Sequence, residues 1–330
     1  MTHGVKVVPL ADESLGVRSM SVLVEAGSTV LLFDAGVSLA PSRYGLPPHP
    51  SELMSLVEAR RRILGAAARA DAVFISHFHK DHYTPHSVGL YEASGPEVFA
   101  QTYRGKVVYV IDPATGVTRN QARRARSFLS ALEGLASAYM LGDGAVIEIG
   151  PLRIEARLYS HGSGRLGRVL GVYLVAEGEV MAAYLPDVQG PVDPGEAEEI
   201  VRRSPGVLII GGPPTYLAYS HRVSGGELER GLRNLAYIIS TLSPQGTRVY
   251  VSHHLLRDSS WEEVLEGYGV DRSDFCLYSD YYNREPELLE AYRRELYSYD
   301  PPPENYLAIL RRGVRRSPEE ILAALEGFSG

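Results

Sequence analysis

Between Phe74 and His86 the chain reads FISHFHKDHYTPH, which holds four of its ten histidines and an aspartate. Imidazoles this close repel one another when protonated and gain little from burial, so the segment calls for a use. Its core is His77-x-His79-x-Asp81-His82. Side chains two residues apart on extended backbone point the same way. His77, His79 and Asp81 therefore converge, while His82 turns to a second position. Neutral imidazole and carboxylate are the usual ligands of Zn²⁺, and of iron or manganese. The spacing predicts a metal site on a loop just after the apolar run DAVFIS.

The rest of the chain must position that loop. Short β-like runs open the sequence at 5–10, 18–27 and 29–36. A helix is expected over 51–69, with Leu53, Leu56, Val57, Leu64 and Ala68 at helical spacing. The strand ending at His77 is followed by a strand near KVVYVID and a helix near 119–138. Four β-like runs come next: AVIEIG, LRIEARLYS, VLGVYLVAE and EVMAAYLPD. A short helix near 195–203 leads to the strand GVLIIGG. Ser224 and Glu227 form a capping box for a further helix, and TRVYVSHH is a last strand. From about residue 270 the chain reads as a helical, tyrosine-rich extension. Strands interleaved with helices, without a repeat or a long linker, predict one α/β domain over 1–330.

Composition narrows the function. A formal net charge of -7 argues against nonspecific coating of nucleic acid. A single cysteine, Cys276, rules out an intrachain disulfide and fits a reducing cytoplasm. No signal peptide or membrane span is visible, so no membrane partner is expected.

These motifs resemble those of the metallo-β-lactamase fold superfamily. LLFDAG, HFHKDH, YSHGSGRLG, YLPDVQG and GTRVYVSHH follow one another in the family's order over roughly residues 5–255. The resemblance implies a four-layer αββα sandwich, two sheets face to face with helices outside and a metal site at the sheet edges. It implies two divalent metal ions, with zinc favoured over iron or manganese. His77, His79 and His161 would hold one, and Asp81, His82 and His253 the other, with Asp187 bridging. Asp34 would support the metal loop from behind. His253 and His254 are adjacent; similarity to glyoxalase II enzymes favours His253 as ligand, leaving His254 behind it or facing substrate. Iron-redox members tend to carry Glu at the position of His79, so hydrolysis is implied over electron transfer. SLGVRSM, YGLPP, GGPPTY and HHLLRD add an overall resemblance to an archaeal family of predicted hydrolases within this superfamily.

The implied chemistry is attack by a hydroxide shared between two metals, with no separate side-chain nucleophile. Asp81 is expected to be indispensable to it, and His221 is a candidate proton donor to the leaving group. Tyr83, His86, Arg165, Arg168 and Tyr216 lie near the motifs in sequence, and Arg and Tyr beside a metal suit an anionic group. A small anionic ester, a phosphodiester above all, is the expected substrate. A nuclease is the alternative; against it, the arginines of RNQARRAR and RRGVRR read as exposed helix faces. A non-catalytic metal-binding sensor or interaction protein is a third reading, which the full ligand set disfavours.

Overall fold

The structure, a computed structural model, describes residues 4–218, 224–313 and 316–326. The described strands form two sheets. The first runs β1 (Val5–Ala11), β2 (Ser21–Ala26), β3 (Thr29–Phe33), β4 (Ala72–Ile75), β5 (Val107–Ile111) and β6 (Ser137–Leu141), side by side in chain order. The second contains β7 (Val146–Ile149), β8 (Leu152–Ser160), β9 (Arg168–Ala176), β10 (Glu179–Leu185), β11 (Val207–Gly211) and β12 (Arg248–Ser252), again as neighbours in chain order. β1 to β3 pair antiparallel, then β3 to β6 run parallel. β7 to β10 pair antiparallel, then β10 to β12 run parallel.

Strand alternation divides the second sheet between two cores. Leu170, Val172, Leu174, Ala182, Tyr184, Ile209 and Tyr250 face the first sheet, and Phe33, Phe74 and Val108 join the same cluster. Their strand neighbours Val169, Tyr173, Ala183, Leu185, Leu208, Ile210, Val249 and Val251 face the other way, into helices α4 (Pro194–Arg203) and α5 (Gly225–Leu242). The first core also takes the buried faces of α1 (Pro50–Arg69), α2 (Pro96–Tyr103) and α3 (Arg119–Leu132). The order is helices, sheet, sheet, helices: the expected αββα sandwich, set by the two-residue period of the strands.

Before residue 270, two elements differ from the sequence expectation. The helix expected over 119–138 stops at Leu132, and Ser137–Leu141 is a strand. Gly134, at φ +73°, takes the left-handed conformation that ends helices, and four of the five residues of β6 are exposed, so this edge strand has no apolar signature. The helix Pro96–Tyr103 was not anticipated; Gly95 caps it with Pro96 in its first turn.

α1 is capped by His49, whose Nδ1 accepts from Ser51 N while Glu52 reaches back to His49 N. Residues after 270 are shorter helices joined by extended connectors, less helical than expected. They are tied back by tyrosine hydroxyls: Tyr278 donates to Met20 O, Tyr282 to Pro9 O, Tyr297 to Pro47 O and Tyr306 to Pro48 O. Arg293 and Glu52, both fully buried, form a bidentate pair between this region and α1. No described helix is long and apolar enough to cross a membrane.

Candidate metal centre

Five strands deliver the histidines and carboxylates to one edge of the sandwich. Asp34 follows β3, His77 follows β4, His161 follows β8, Asp187 follows β10 and His253 follows β12. β8 and β10 both pair antiparallel with β9, so they point the same way, and β10 to β12 are parallel. The centre therefore lies beyond the carboxyl ends of strands in both sheets, the usual location for sites in α/β proteins. Asp34, Asp187 and His253 have φ of +47°, +52° and +70°. The left-handed region costs a non-glycine residue about 1–2 kcal/mol. Backbone of this kind tends to gather at functional sites, where the surrounding fold over-determines it. Gly36 explains the glycine of LLFDAG: a Cβ there would stand 2.2 Å from Tyr83 N and 2.6 Å from His82 N.

Asp187 is the hub. Its Oδ2 lies 3.1 Å from His77 Nε2, 3.3 Å from His161 Nε2, 3.4 Å from His82 Nε2 and 3.9 Å from His79 Nδ1. Its Oδ1 lies 3.0 Å from His253 Nε2 and 3.4 Å from His254 Nε2. The donor atoms of His77, His79, His161 and Asp187 all fall within 4.8 Å of one another, as do those of Asp81, His82 and His253. The group fits a cation better than a hydrogen-bond network. Both ring nitrogens of His161, and Asp187 Oδ1, are buried without a hydrogen-bond partner among the described residues, despite those short approaches. Lone pairs converging at angles unsuited to hydrogen bonds are what ligands around a shared ion present, and imidazole with carboxylate is the donor set for zinc, iron or manganese. Burial, helped by His82, pushes His77 down to about 4, and burial holds His161 well below its usual range. Both are neutral imidazoles with a lone pair to offer.

Each half of the cluster has a backing carboxylate. His82 Nδ1 lies 2.6 Å from Asp34 Oδ2, which fixes the ring with Nε2 towards Asp187. Asp34 also accepts from Ser76 N at 2.7 Å, Ser76 Oγ at 2.6 Å and Tyr184 Oη at 2.8 Å. The Ser76 hydroxyl, donating to Asp34, accepts from His77 Nδ1 at 2.9 Å, and so leaves His77 Nε2 as the free nitrogen. On the other side His253 Nδ1 lies 3.2 Å from Glu13 Oε1. Arg257 donates to Glu13 Oε1 at 2.7 Å and to Asp81 Oδ2 at 3.3 Å. Burial would raise Glu13, but His253 and Arg257 outweigh it and hold the carboxyl below its usual range. Glu13, Arg257, Ser76 and Tyr184 escaped the sequence reading. Glu13 and Arg257 sit beside or within SLGVRSM and HHLLRD, but nothing local marks a buried charge.

The two adjacent histidines separate by tautomer. Arg257 Nη1, a donor only, approaches His254 Nδ1 at 3.1 Å, and Tyr216 Oη lies 3.2 Å from the same nitrogen. His254 Nδ1 is therefore the acceptor, and neutral His254 carries its proton on Nε2. Burial and Arg257 push it down to about 3, so it is neutral. Arg257 Nη2 also lies 3.2 and 3.1 Å from the two nitrogens of His253.

The remaining candidates are placed as follows. Tyr216 stands at the site, with the Arg43 guanidinium 4.6 Å over its ring. Arg165 lies at the mouth of an adjacent cavity, largely exposed, 3.8 Å from Glu227. Tyr83 is buried with its ring edge-on to Phe78 and Phe128, and it also lines the groove that holds Lys80 and Arg124. His86 packs on Phe99, and Arg168 donates to Leu158 O, so neither joins the cluster. His221 lies outside the described residues.

Two stacked mixed sheets with helices on both outer faces, and a histidine–aspartate cluster at their carboxyl edge, define a metallo-β-lactamase-fold protein. Among solved structures the chain is similar to unliganded yeast PDE1, 12% identical with a TM-score of 0.50, covering 84% of this chain and 97% of that one. It is also similar to the metallo-beta-lactamase fold protein YhfI from Bacillus subtilis, 13% identical with a TM-score of 0.45, covering 76% and 86%. No family model matches the chain. Among curated relatives, the UPF0282 protein of Pyrobaculum arsenaticum is 38% identical over 304 residues, 90% of this chain and 95% of its own. That of Methanopyrus kandleri is 39% identical over 294 residues, 88% and 98%. The chain belongs to the UPF0282 family.

Proposed function

We propose that the protein is a metal-dependent hydrolase of a small anionic ester, with a phosphodiester as the favoured class. The observation that carries this reading is the convergence of six histidine side chains on Asp187, with both nitrogens of His161 and Oδ1 of Asp187 buried and without hydrogen-bond partners among the described residues. In this reading His77, His79 and His161 hold one divalent ion, Asp81, His82 and His253 the other, and the Asp187 carboxylate serves both. Zinc is the favoured metal. When bound, such a pair lowers the pKa of water towards ~7 and polarises the bond under attack.

The chain's own residues supply the rest. Asp34 and Glu13 hold His82 and His253 with Nε2 inward, as carboxylates behind ligating imidazoles do. The tautomer of His254 supports His253 as the ligand, because the Nε2 of His254 already carries a proton. That Nε2–H faces the centre and serves as a donor to the substrate's oxygen. Tyr216 and Arg257 keep it in that role.

The test is metal analysis and a hydrolysis assay on the same preparation. Protein purified without chelator, or reconstituted, should carry close to two transition-metal ions per chain. It should hydrolyse bis(p-nitrophenyl) phosphate faster than Asp81→Asn does. No binding of zinc, iron or manganese would overturn the reading. Cleavage of lactones or thioesters with no phosphodiester activity would overturn the phosphate part alone. A nuclease is the second reading, favoured by a groove of about 750 Å³ lined by Lys80, Arg123 and Arg124 beside the histidine loop. Long RNA in the same assay decides, by being cut much faster than any small ester.

A further inference from the structure

A cavity of about 260 Å³ opens beside the histidine cluster, and His161 and His254 form part of its wall. Five separate segments build it: the turn after β8, the loop after β10, the Pro213–Leu217 segment after β11, the first turn of α5 and His254 after β12. Its apolar wall is Leu166, Val192, Pro213, Pro214, Leu217 and Leu228. Leu166 stands 45% exposed on the lip. The charged residues of the cavity, Arg165 and Glu227, face each other at 3.8 Å, and Glu227 also caps α5 by accepting from Ser224 N. The positive charge nearest the cavity is thus already matched.

The geometry points to a substrate of two chemical ends: an anionic group at the histidine–aspartate centre and an uncharged apolar group, the size of a phenyl ring or a short branched chain, in this cavity. This rests on the hydrolase reading and names the substrate class of that site. An anion has no reason to enter an apolar wall whose cation is paired, because it would lose hydration without a partner. An apolar group does, because its removal from water is favourable in proportion to the area buried. The volume suffices, since apolar cavities of about 150 Å³ take up benzene. Continuity through His161 and His254 lets one molecule reach both parts.

Calorimetry with two probes on the metal-loaded protein tests this. Phenylphosphonate should bind about tenfold or more tightly than methylphosphonate, given the ring area buried. Val192→Trp fills the cavity, and Leu166→Ser removes its lip at an exposed position that folding does not depend on. Both should shrink the phenyl advantage, Val192→Trp to near parity, with elemental analysis confirming that each variant holds metal. Equal binding of the two phosphonates by the unaltered protein overturns the inference, as does a phenyl advantage undiminished in Val192→Trp. A phenyl advantage that vanishes in Val192→Trp upholds the cavity assignment even if bis(p-nitrophenyl) phosphate is not cleaved, a result that would overturn only the hydrolase reading.

Discussion

His82 and His253 face each other across the sandwich with Nε2 atoms 3.3 Å apart, one from each sheet's edge, and each has a carboxylate at Nδ1. The two carboxylates are supported differently. Asp34 is surrounded by neutral donors: the Ser76 amide, the Ser76 hydroxyl and the Tyr184 hydroxyl. Glu13 is matched by a full cation, Arg257, which also reaches Asp81. Asp34 therefore lends its charge mainly to His82; burial alone would lower that imidazole, yet Asp34 and Asp187 raise it well above its usual range. Burial would lower His253 too, yet Asp187 and Glu13 raise it to about 9, while Arg257, which shares the charge of Glu13, works against them. Both supports thus raise the imidazole in front of them, but only the one at Glu13 is opposed by a neighbouring cation.

The largest expected effect breaks both sides at once. Asp187→Ala removes the carboxylate on which both donor groups converge, and elemental analysis should find metal content falling to near zero, with activity. Asp34→Asn and Glu13→Gln sharpen the comparison. Each should weaken metal binding on the order of 10–100-fold in a competition with a chelating dye. The loss should be greater for Asp34→Asn; equal losses would mean that Arg257 does not share the charge of Glu13. Arg257→Met leaves Glu13 and Asp81 facing each other without their cation. Denaturant unfolding should show a loss of about 3–5 kcal/mol, the cost of stranding buried charge. His254→Ala should keep its metal while lowering kcat, whereas His253→Ala should lose one metal; the opposite pattern would exchange their assignments.

The smallest effect is a pH dependence on the arginine-supported side. Burial would raise the Glu290 carboxyl, but Arg18 overrides it and holds it at about 2, below the ordinary 4.5. A depressed carboxylate stabilises the fold fully above its unfolded pKa and loses that contribution as pH falls through its folded one. Stability from this pair is therefore present above pH 4.5 and disappears towards pH 2. Melting temperatures measured over that window should fall less steeply for Glu290→Gln than for the unaltered protein.

The sequence by itself determined the loop from His77 to His82, because contiguous residues of extended backbone carry their own geometry. It also determined most strands and the cap of α5, which rest on local periodicity and local hydrogen bonds. His161 and Asp187 were legible only through the order of motifs, since each alone is an ordinary turn residue. The strand β6 was hidden because an exposed edge strand has no apolar pattern to read. Only the tertiary structure gives His253 and His254 different surroundings. β12 ends at Ser252 and His253 turns left-handed at φ +70°, so strand alternation no longer says where either ring points. What separates them is a proton fixed by Arg257 and Tyr216. Glu13 and Arg257 became visible for the same reason: they stand 244 residues apart and are buried together. A charge announces a function once the fold has taken its water away, and that happens between distant segments that no local pattern connects.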